Sequence, residues 1–310
     1  KLLNKYVKIK FVDDIFGKKA MNTISLLKEG EAILLDNIRK ENDEFKPEKR
    51  KSNKLYKLVD VCDVYVNDAF SVCHRQHSSI VLFPRYIESY TGLLLQKELN
   101  ALKKLHINKP LCILGGAKPE DNLKLINKQV KKVLAGGIFG QMCLIARGVD
   151  LGKNNEKVNK KIVKDYDGLL KIISKQIRNQ NIIMPVDYAV LVGNQRKEFD
   201  IKDFPTPYVI YDIGEKSIEL FKKEIKKAKA IYMKGPVGDA ALKGFDIGTK
   251  QVLKAISKSK AFSVIGGGHL SDAINKSYIR KSKFNHISLS GGALLRYIAG
   301  EKLVGLEVLR

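Results

Sequence analysis

LCILGGAK, residues 111–118, is the stretch on which the architecture turns. Four apolar residues run straight into a glycine pair and then a lysine, which is too short for a buried helix and fits a strand buried on both faces. The same grammar recurs outward from it. VLAGG (residues 133–137) and VIGGG (residues 264–268) repeat an apolar run closed by glycines, and YMKGPVG (residues 232–238) closes its run on a Gly-Pro turn. Further short runs at residues 7–11, 32–35, 64–66 and 182–185 alternate with longer segments of helical period. Strands that alternate with helices imply parallel βαβ units, hence a doubly wound α/β architecture. In open parallel sheets the ligand crevice lies outside the carboxyl ends of the strands, where glycines admit close backbone approach and helix N-termini favour negative charge. A phosphate or nucleotide site on that edge is the expectation. Neither a G-x-x-x-x-G-K-[ST] loop nor a G-x-G-x-x-G fingerprint occurs, so it is neither a standard P-loop nor a standard dinucleotide fold.

At 310 residues the chain is expected to form two lobes, because single cores stop growing beyond roughly 250 residues. Between the early strands and the glycine-rich half, residues 92–106 place Leu94, Leu95, Leu99, Leu102 and Leu105 on a helical period, and Pro110 ends the segment. This reads as a long helix joining the lobes. With 44% hydrophobic residues the chain can bury real cores. The longest apolar stretch, around residues 136–146, is interrupted by Gly140 and Gln141 and falls short of the roughly 20 residues a membrane span needs. No leader segment is read at the start, so a cytoplasmic protein without a membrane partner is expected. Cys62, Cys73, Cys112 and Cys143 are scattered without a Cys-x-x-Cys pair, which argues for reduced thiols over a zinc site. The formal charge of +24 favours anionic partners. Many of the lysines, such as Lys222, Lys223, Lys226 and Lys227, fall in solvent-facing helical patterns. No aromatic-interleaved basic strand accompanies them, so no dedicated nucleic-acid role is expected.

DVYVNDAFSVCHRQHSS, residues 63–79, joins a strand to a stretch bearing His74, Arg75 and His77. Alone it would read as a salt-bridged loop. In full it resembles the signature of the phosphoglycerate kinase family, and the other blocks follow in the family's order. LLDNIR (residues 34–39) resembles a strand end, GLLLQKEL (residues 92–99) the start of the interdomain helix, and LGGAK (residues 114–118) the catalytic lysine turn. IIMPVDYAV, DIGEKSIELF, KGPVG, AFSVIGGG and HISLSGGA are similar to blocks of the nucleotide lobe, and LVGLEVL to the closing segment.

The resemblance implies two Rossmann-like lobes. Residues 1–91 would be the remainder of a 3-phosphoglycerate lobe, 92–106 the interdomain helix, 107–290 the nucleotide lobe and 291–310 a segment returning toward the first lobe. The implied reaction is reversible phosphoryl transfer between ATP and 3-phosphoglycerate in glycolysis and gluconeogenesis, by a monomer, with magnesium held mainly by the nucleotide. By resemblance Arg39 and Arg75 hold 3-phosphoglycerate, and Lys118, beside the Gly115-Gly116 turn, and Arg39 are the catalytic cations. The nucleotide would meet Gly115, Gly116, Lys118, Asn122, Gly136, Gly137, Gly235, Pro236, Gly266, Gly267, Gly268, His269, Gly291 and Gly292. Three positions depart from the family. Asn122 stands where a second lysine is usual, Asp239-Ala240-Ala241 where a ribose-holding glutamate is expected, and His269 where a magnesium-linked aspartate is expected, as in archaeal members. The resemblance also begins part-way into the family's first lobe, past its Asp-x-Asn substrate turn. The N-terminal lobe is therefore expected to be incomplete and these residues alone to turn over poorly. The alternative from another class is a non-catalytic relative that binds nucleotide or another anion.

Overall fold

The structure, a computed structural model, describes residues 2–126, 130–178 and 181–309. It falls into two compact units, Lys1–Gln96 with Lys302–Arg310, and Lys97–Glu301.

In the first unit, β1 (Lys10–Val12) pairs in parallel with β2 (Ile33–Leu35), and β3 (Val64–Asn67) with β4 (Glu88–Thr91), as two separate two-stranded sheets. The side-chain period of two puts Val12 and Asn67 inside and leaves Phe11 opposite Leu34, and Val66 opposite Tyr90, exposed. The core gathers Ile15, Leu55, Leu58, Val59, Leu82 and Phe83. Asp14 starts the helix Lys18–Ser25 by accepting from the amides of Ile15, Gly17 and Ala20. The amide of Ala20 does most to hold its carboxyl below the usual range. The returning segment is fixed at Gly305, whose amide donates to the Cys73 carbonyl at 2.9 Å and which has no room for a side chain beside Ile80 and Cys73.

The second unit is built on six parallel strands: β5 (Leu111–Leu114), β6 (Lys132–Ala135), β7 (Ile182–Ile183), and then, after an intervening antiparallel sheet, three more. That antiparallel sheet comprises β8 (Asp187–Val192), β9 (Gln195–Asp200) and β10 (Ile210–Ile213), in the order β10-β8-β9. The parallel sheet resumes with β11 (Ala230–Lys234), β12 (Phe262–Gly266) and β13 (His286–Ser288), and its order is β13-β12-β11-β5-β6-β7. From β5 the chain winds outward one way through β6 and β7, then crosses back to β11 and winds the other way. The order thus reverses between β5 and β11, the point at which an open α/β sheet forms its ligand crevice. Every residue of β5 is buried, as a continuous apolar central strand requires.

All eight runs read as strands from the sequence fall on strands, with ends shifted by a few residues. The helix expected at 92–106 is Leu93–Ile107. Among the described residues no helix is long and apolar enough to cross a membrane.

Candidate active site

Three turns meet at the carboxyl ends of β5, β6 and β11, and they are locked together by backbone. Gly115 donates to the Lys234 carbonyl at 2.8 Å, Gly116 to Pro236 at 2.7 Å, Gly136 to Leu114 at 2.8 Å and Gly137 to Val237 at 2.8 Å. A Cβ on Gly115 would lie 2.1 Å from the Pro236 oxygen, and one on Gly136 would lie 2.8 Å from the Val237 side chain. Gly235, at φ +72°, has Gly115 O 2.6 Å from where a Cβ would stand. These glycines serve close approach of protein to protein, and the amide hydrogens of Gly115, Gly116, Gly136 and Gly137 are committed to carbonyls of the chain. Gly266 is likewise a packing glycine, closed in by Leu294 and Tyr232. Gly267, Gly268 and Gly291 are different. Nothing stands within 4 Å of a Cβ on any of them, and they precede or open the helices Gly268–Lys276 and Gly291–Ile298, with Gly292 exposed in the second. Helix N-termini with open space before them suit an anion.

Beside the locked turns lies a cavity of about 580 Å³. Of the residues singled out in the sequence, Gly116, Gly137, Pro236, Asp239, Ala240, Ala241 and His269 line it, and Lys118, Asn122, Gly115, Gly136, Gly235, Gly266, Gly267, Gly268, Gly291 and Gly292 do not. The remaining walls include Ile138, Val158, Ile162, Val209, Tyr211 and Val237, a mostly apolar slot with a few polar groups of the kind that takes a flat aromatic ring. Two residues lining it carry buried polar atoms without a partner among the described residues: the Asn159 Oδ1 and the Tyr188 hydroxyl. Asp239 lines the slot too, with Oδ1 accepting from the amides of Ala241 and Leu242.

Lys118 is exposed and precedes the short helix Pro119–Leu123. Asn122, in that helix, is fully buried. Its Nδ2 donates to the Gly115 carbonyl at 3.0 Å, and its Oδ1 accepts from Lys234 Nζ at 3.0 Å. Burial pulls the Lys234 ammonium below the usual lysine range; Asp121 opposes that shift and the charge of Lys118 adds to it. Two cations therefore stand close enough to feel one another at the switch point.

Asp212, which also lines the cavity, receives Arg196 Nη1 at 3.0 Å and the amides of Ile213 and Gly248. Burial nevertheless pushes its carboxyl up to about 6, against the pull of the Gly248 amide and the Arg196 guanidinium. At the β13 end of the sheet, buried Glu98 meets His286 Nε2 at 2.8 Å and Ser288 Oγ at 3.2 Å.

In the first unit Arg39 sits in the single turn Ile38–Lys40 after β2, its amide donating to the Asn37 side chain. Arg75 follows the turn Phe70–Val72. Both act on one imidazole: His77 is held below its usual value first by burial and then by the positive charges of Arg75 and Arg39, against the attraction of Glu44. Glu44, itself buried, takes the Ser79 amide at 2.9 Å and hydroxyl at 2.6 Å and lies 3.4 Å from His77 Nδ1. The charges of both arginines thus reach His77, beside a buried carboxylate that holds Ser79 of the HRQHSS segment.

A fold that reverses at β5 and β11, with a lysine after the first glycine turn and paired arginines on the other unit, narrows the choice of family. The family model for phosphoglycerate kinase matches residues 1–301. The chain belongs to the phosphoglycerate kinase family. It is 39% identical to the phosphoglycerate kinase of Pyrococcus furiosus, over 100% of this chain and 78% of that protein, and 36% identical to that of Methanopyrus kandleri, over 96% and 76%. The crystal structure of phosphoglycerate kinase from Pyrococcus horikoshii superposes with a TM-score of 0.89 at 34% identity, covering 99% of this chain and 80% of that one. In this family member the slot residues Gln141, Asn159, Tyr188 and Tyr211 went unread in the sequence, because they sit in ordinary helical or strand patterns and only the fold collects them. Lys234 did carry a signal, a lysine directly before a Gly-Pro turn at a strand end.

Proposed function

We propose that the chain is a phosphoglycerate kinase that transfers the γ-phosphoryl group of ATP to 3-phosphoglycerate, reversibly. A carboxylate oxygen of 3-phosphoglycerate attacks the γ-phosphorus, the acyl-phosphate O–P bond forms, and the bond to the bridging oxygen breaks to release ADP. The observation that carries this reading is the crevice at the β5–β11 reversal, with Lys118 after one glycine turn and an apolar slot of about 580 Å³ beside it. Family membership supports the same conclusion and disfavours a non-catalytic anion binder.

The nucleotide is assigned to the second unit, its base in the slot and its phosphates toward Lys118 and the open helix starts at Gly268 and Gly291. The substrate is assigned to the first unit. Arg39 and Arg75 suit a phosphate or carboxylate because the planar guanidinium fork meets either bidentately. Phosphoryl transfer asks a protein mostly for positioning and charge stabilisation, and Lys118 supplies positive charge to the transferring oxygens. The resemblance assigns magnesium to the nucleotide's own phosphates. Carried there it would neutralise phosphate charge. The expectations of a cytoplasmic monomer rest on the resemblance.

The test is a coupled assay with ATP and 3-phosphoglycerate across magnesium concentrations. Lys118→Ala should lower kcat by about 100-fold or more while leaving ADP affinity within a few-fold. A wild-type chain that binds nucleotide but shows no turnover, alone or with the family's preceding segment supplied, would overturn the kinase reading.

A further inference from the structure

Lys234 is a cation that its surroundings aim and only loosely neutralise. An ammonium has three donors, and among the described residues only one meets a close partner, the Asn122 Oδ1 at 3.0 Å. The nearest carboxylate, Asp121 Oδ2, lies at 3.6 Å, beyond the 2.7–2.9 Å or so of a charge-assisted hydrogen bond. Asn122 has its own orientation set from behind, because Nδ2 donates to the Gly115 carbonyl at 3.0 Å. Turning that amide over would set its NH₂ against the ammonium and its oxygen against a carbonyl, so only one orientation is chemically allowed. The chain Gly115 O, Asn122, Lys234 Nζ therefore runs from the end of β5 to the end of β11, across the reversal where the ligand crevice lies. Keeping a cation mostly out of water costs free energy unless an anion pairs with it, and the loose contact to a partly exposed Asp121 is weak payment.

We propose that Lys234 is a phosphate-binding residue of the nucleotide site, a second cation beside Lys118 that Asn122 holds in place. The inference rests on the nucleotide assignment above. At residue 122 the resemblance leads one to expect a lysine; a lysine there would be thrust against Lys234, whereas an asparagine receives it. The second charge has moved from the helix after β5 to the end of β11, and Asn122 has become the residue that positions it.

Titration calorimetry on the full chain, with ADP and adenosine as separate probes, tests this without needing turnover. Lys234→Met should weaken ADP binding by about 10- to 100-fold, the worth of one or two charge-assisted contacts, and leave adenosine binding within about twofold. Lys234→Arg should keep most of the ADP affinity. The exchange variant Asn122→Lys with Lys234→Asn, which carries the charge across the same hydrogen bond, should regain at least about tenfold over Lys234→Met. The exchange variant also covers the case in which Lys234→Met fails to fold. Unchanged ADP affinity in Lys234→Met, equal losses for ADP and adenosine, or an exchange variant no better than Lys234→Asn alone would each overturn the proposal. A wild-type chain that binds neither probe would instead overturn the nucleotide assignment on which it rests.

Discussion

At the scale of single residues, Asp212 shows how the second unit spends electrostatics on shape. The carboxyl lies at the end of β10, 1% exposed, and holds Arg196 on one side and the amide of Gly248, in the helix Ile247–Lys258, on the other. A Cβ on Gly238 or Gly248 would fall against its oxygen, so both glycines close on it. Burial wins over these partners and raises its pKa from 3.8 to about 6. Because the folded value exceeds the unfolded one, the native state binds the proton more tightly between about pH 4 and pH 6. The stability this group contributes is complete below about pH 4 and is lost as pH rises through about 6. Carboxyl-carbon NMR should show one aspartate with a midpoint near 6 that disappears in Asp212→Asn; a midpoint at or below 4 would contradict the account. Nothing in the string DIGEKS distinguishes this aspartate from a surface one. Its burial comes from residues distant in the chain, so the shift is a property of the fold, unlike the charge of Lys118 or Arg39, which is legible wherever the residue stands.

At the scale of elements, the crevice is a joint of three turns, and its glycines divide by what they touch. Gly115→Ala puts a methyl 2.1 Å from the Pro236 oxygen, a backbone atom held by its own hydrogen bond from Gly116. The clash cannot be relieved by a rotamer change, so the β5 and β11 ends must part, at a cost of about 1–3 kcal/mol in urea unfolding. Gly268→Ala meets nothing within 4 Å; its unfolding should stay within about 0.5 kcal/mol of wild type, while ADP affinity falls because the added methyl stands where phosphate would approach the helix start. If Gly115→Ala unfolds like wild type, or Gly268→Ala loses stability and keeps its affinity, the division is wrong. The strands and the glycine turns were legible because an apolar run stopped by Gly-Gly is a local signal. The division was not, since it depends on which turn faces which. The antiparallel β8–β10 sheet was missed for another reason: Gly193 and Asn194, both at positive φ, form a two-residue hairpin turn, but β9 reads QRKEFD, polar enough to hide its alternation.

At the scale of the whole molecule, the formal charge of +24 is spread over a surface where lysines mostly outnumber their partners. Several carboxylates are already claimed, Asp36 by Lys40, Glu224 by Lys132 and Lys227, Asp200 by Lys216, and the pairs whose lysines are exposed, those of Lys40, Lys227 and Lys216, contribute little to stability. What the excess does is set a field. Composition made the sign of that field legible at once; which anions it serves composition could not say, and the proposal of small ones draws on the slot beside β5 and β11 and on the two arginines whose charges reach His77. Both proposed substrates are polyanions, so their encounter with the chain should be helped at low ionic strength and screened as the Debye length shrinks from about 30 Å at 0.01 M to about 8 Å at 0.15 M. The affinity of 3-phosphoglycerate, followed by titration from about 10 to about 150 mM potassium chloride, should fall by about threefold or more. Adenosine, which carries no charge, should bind equally across that range, and sucrose at matched osmolarity should leave both unchanged. A flat salt response for 3-phosphoglycerate would mean that the field is too diffuse to act at the site, and that Arg39 and Arg75 attract the substrate only once it is in contact.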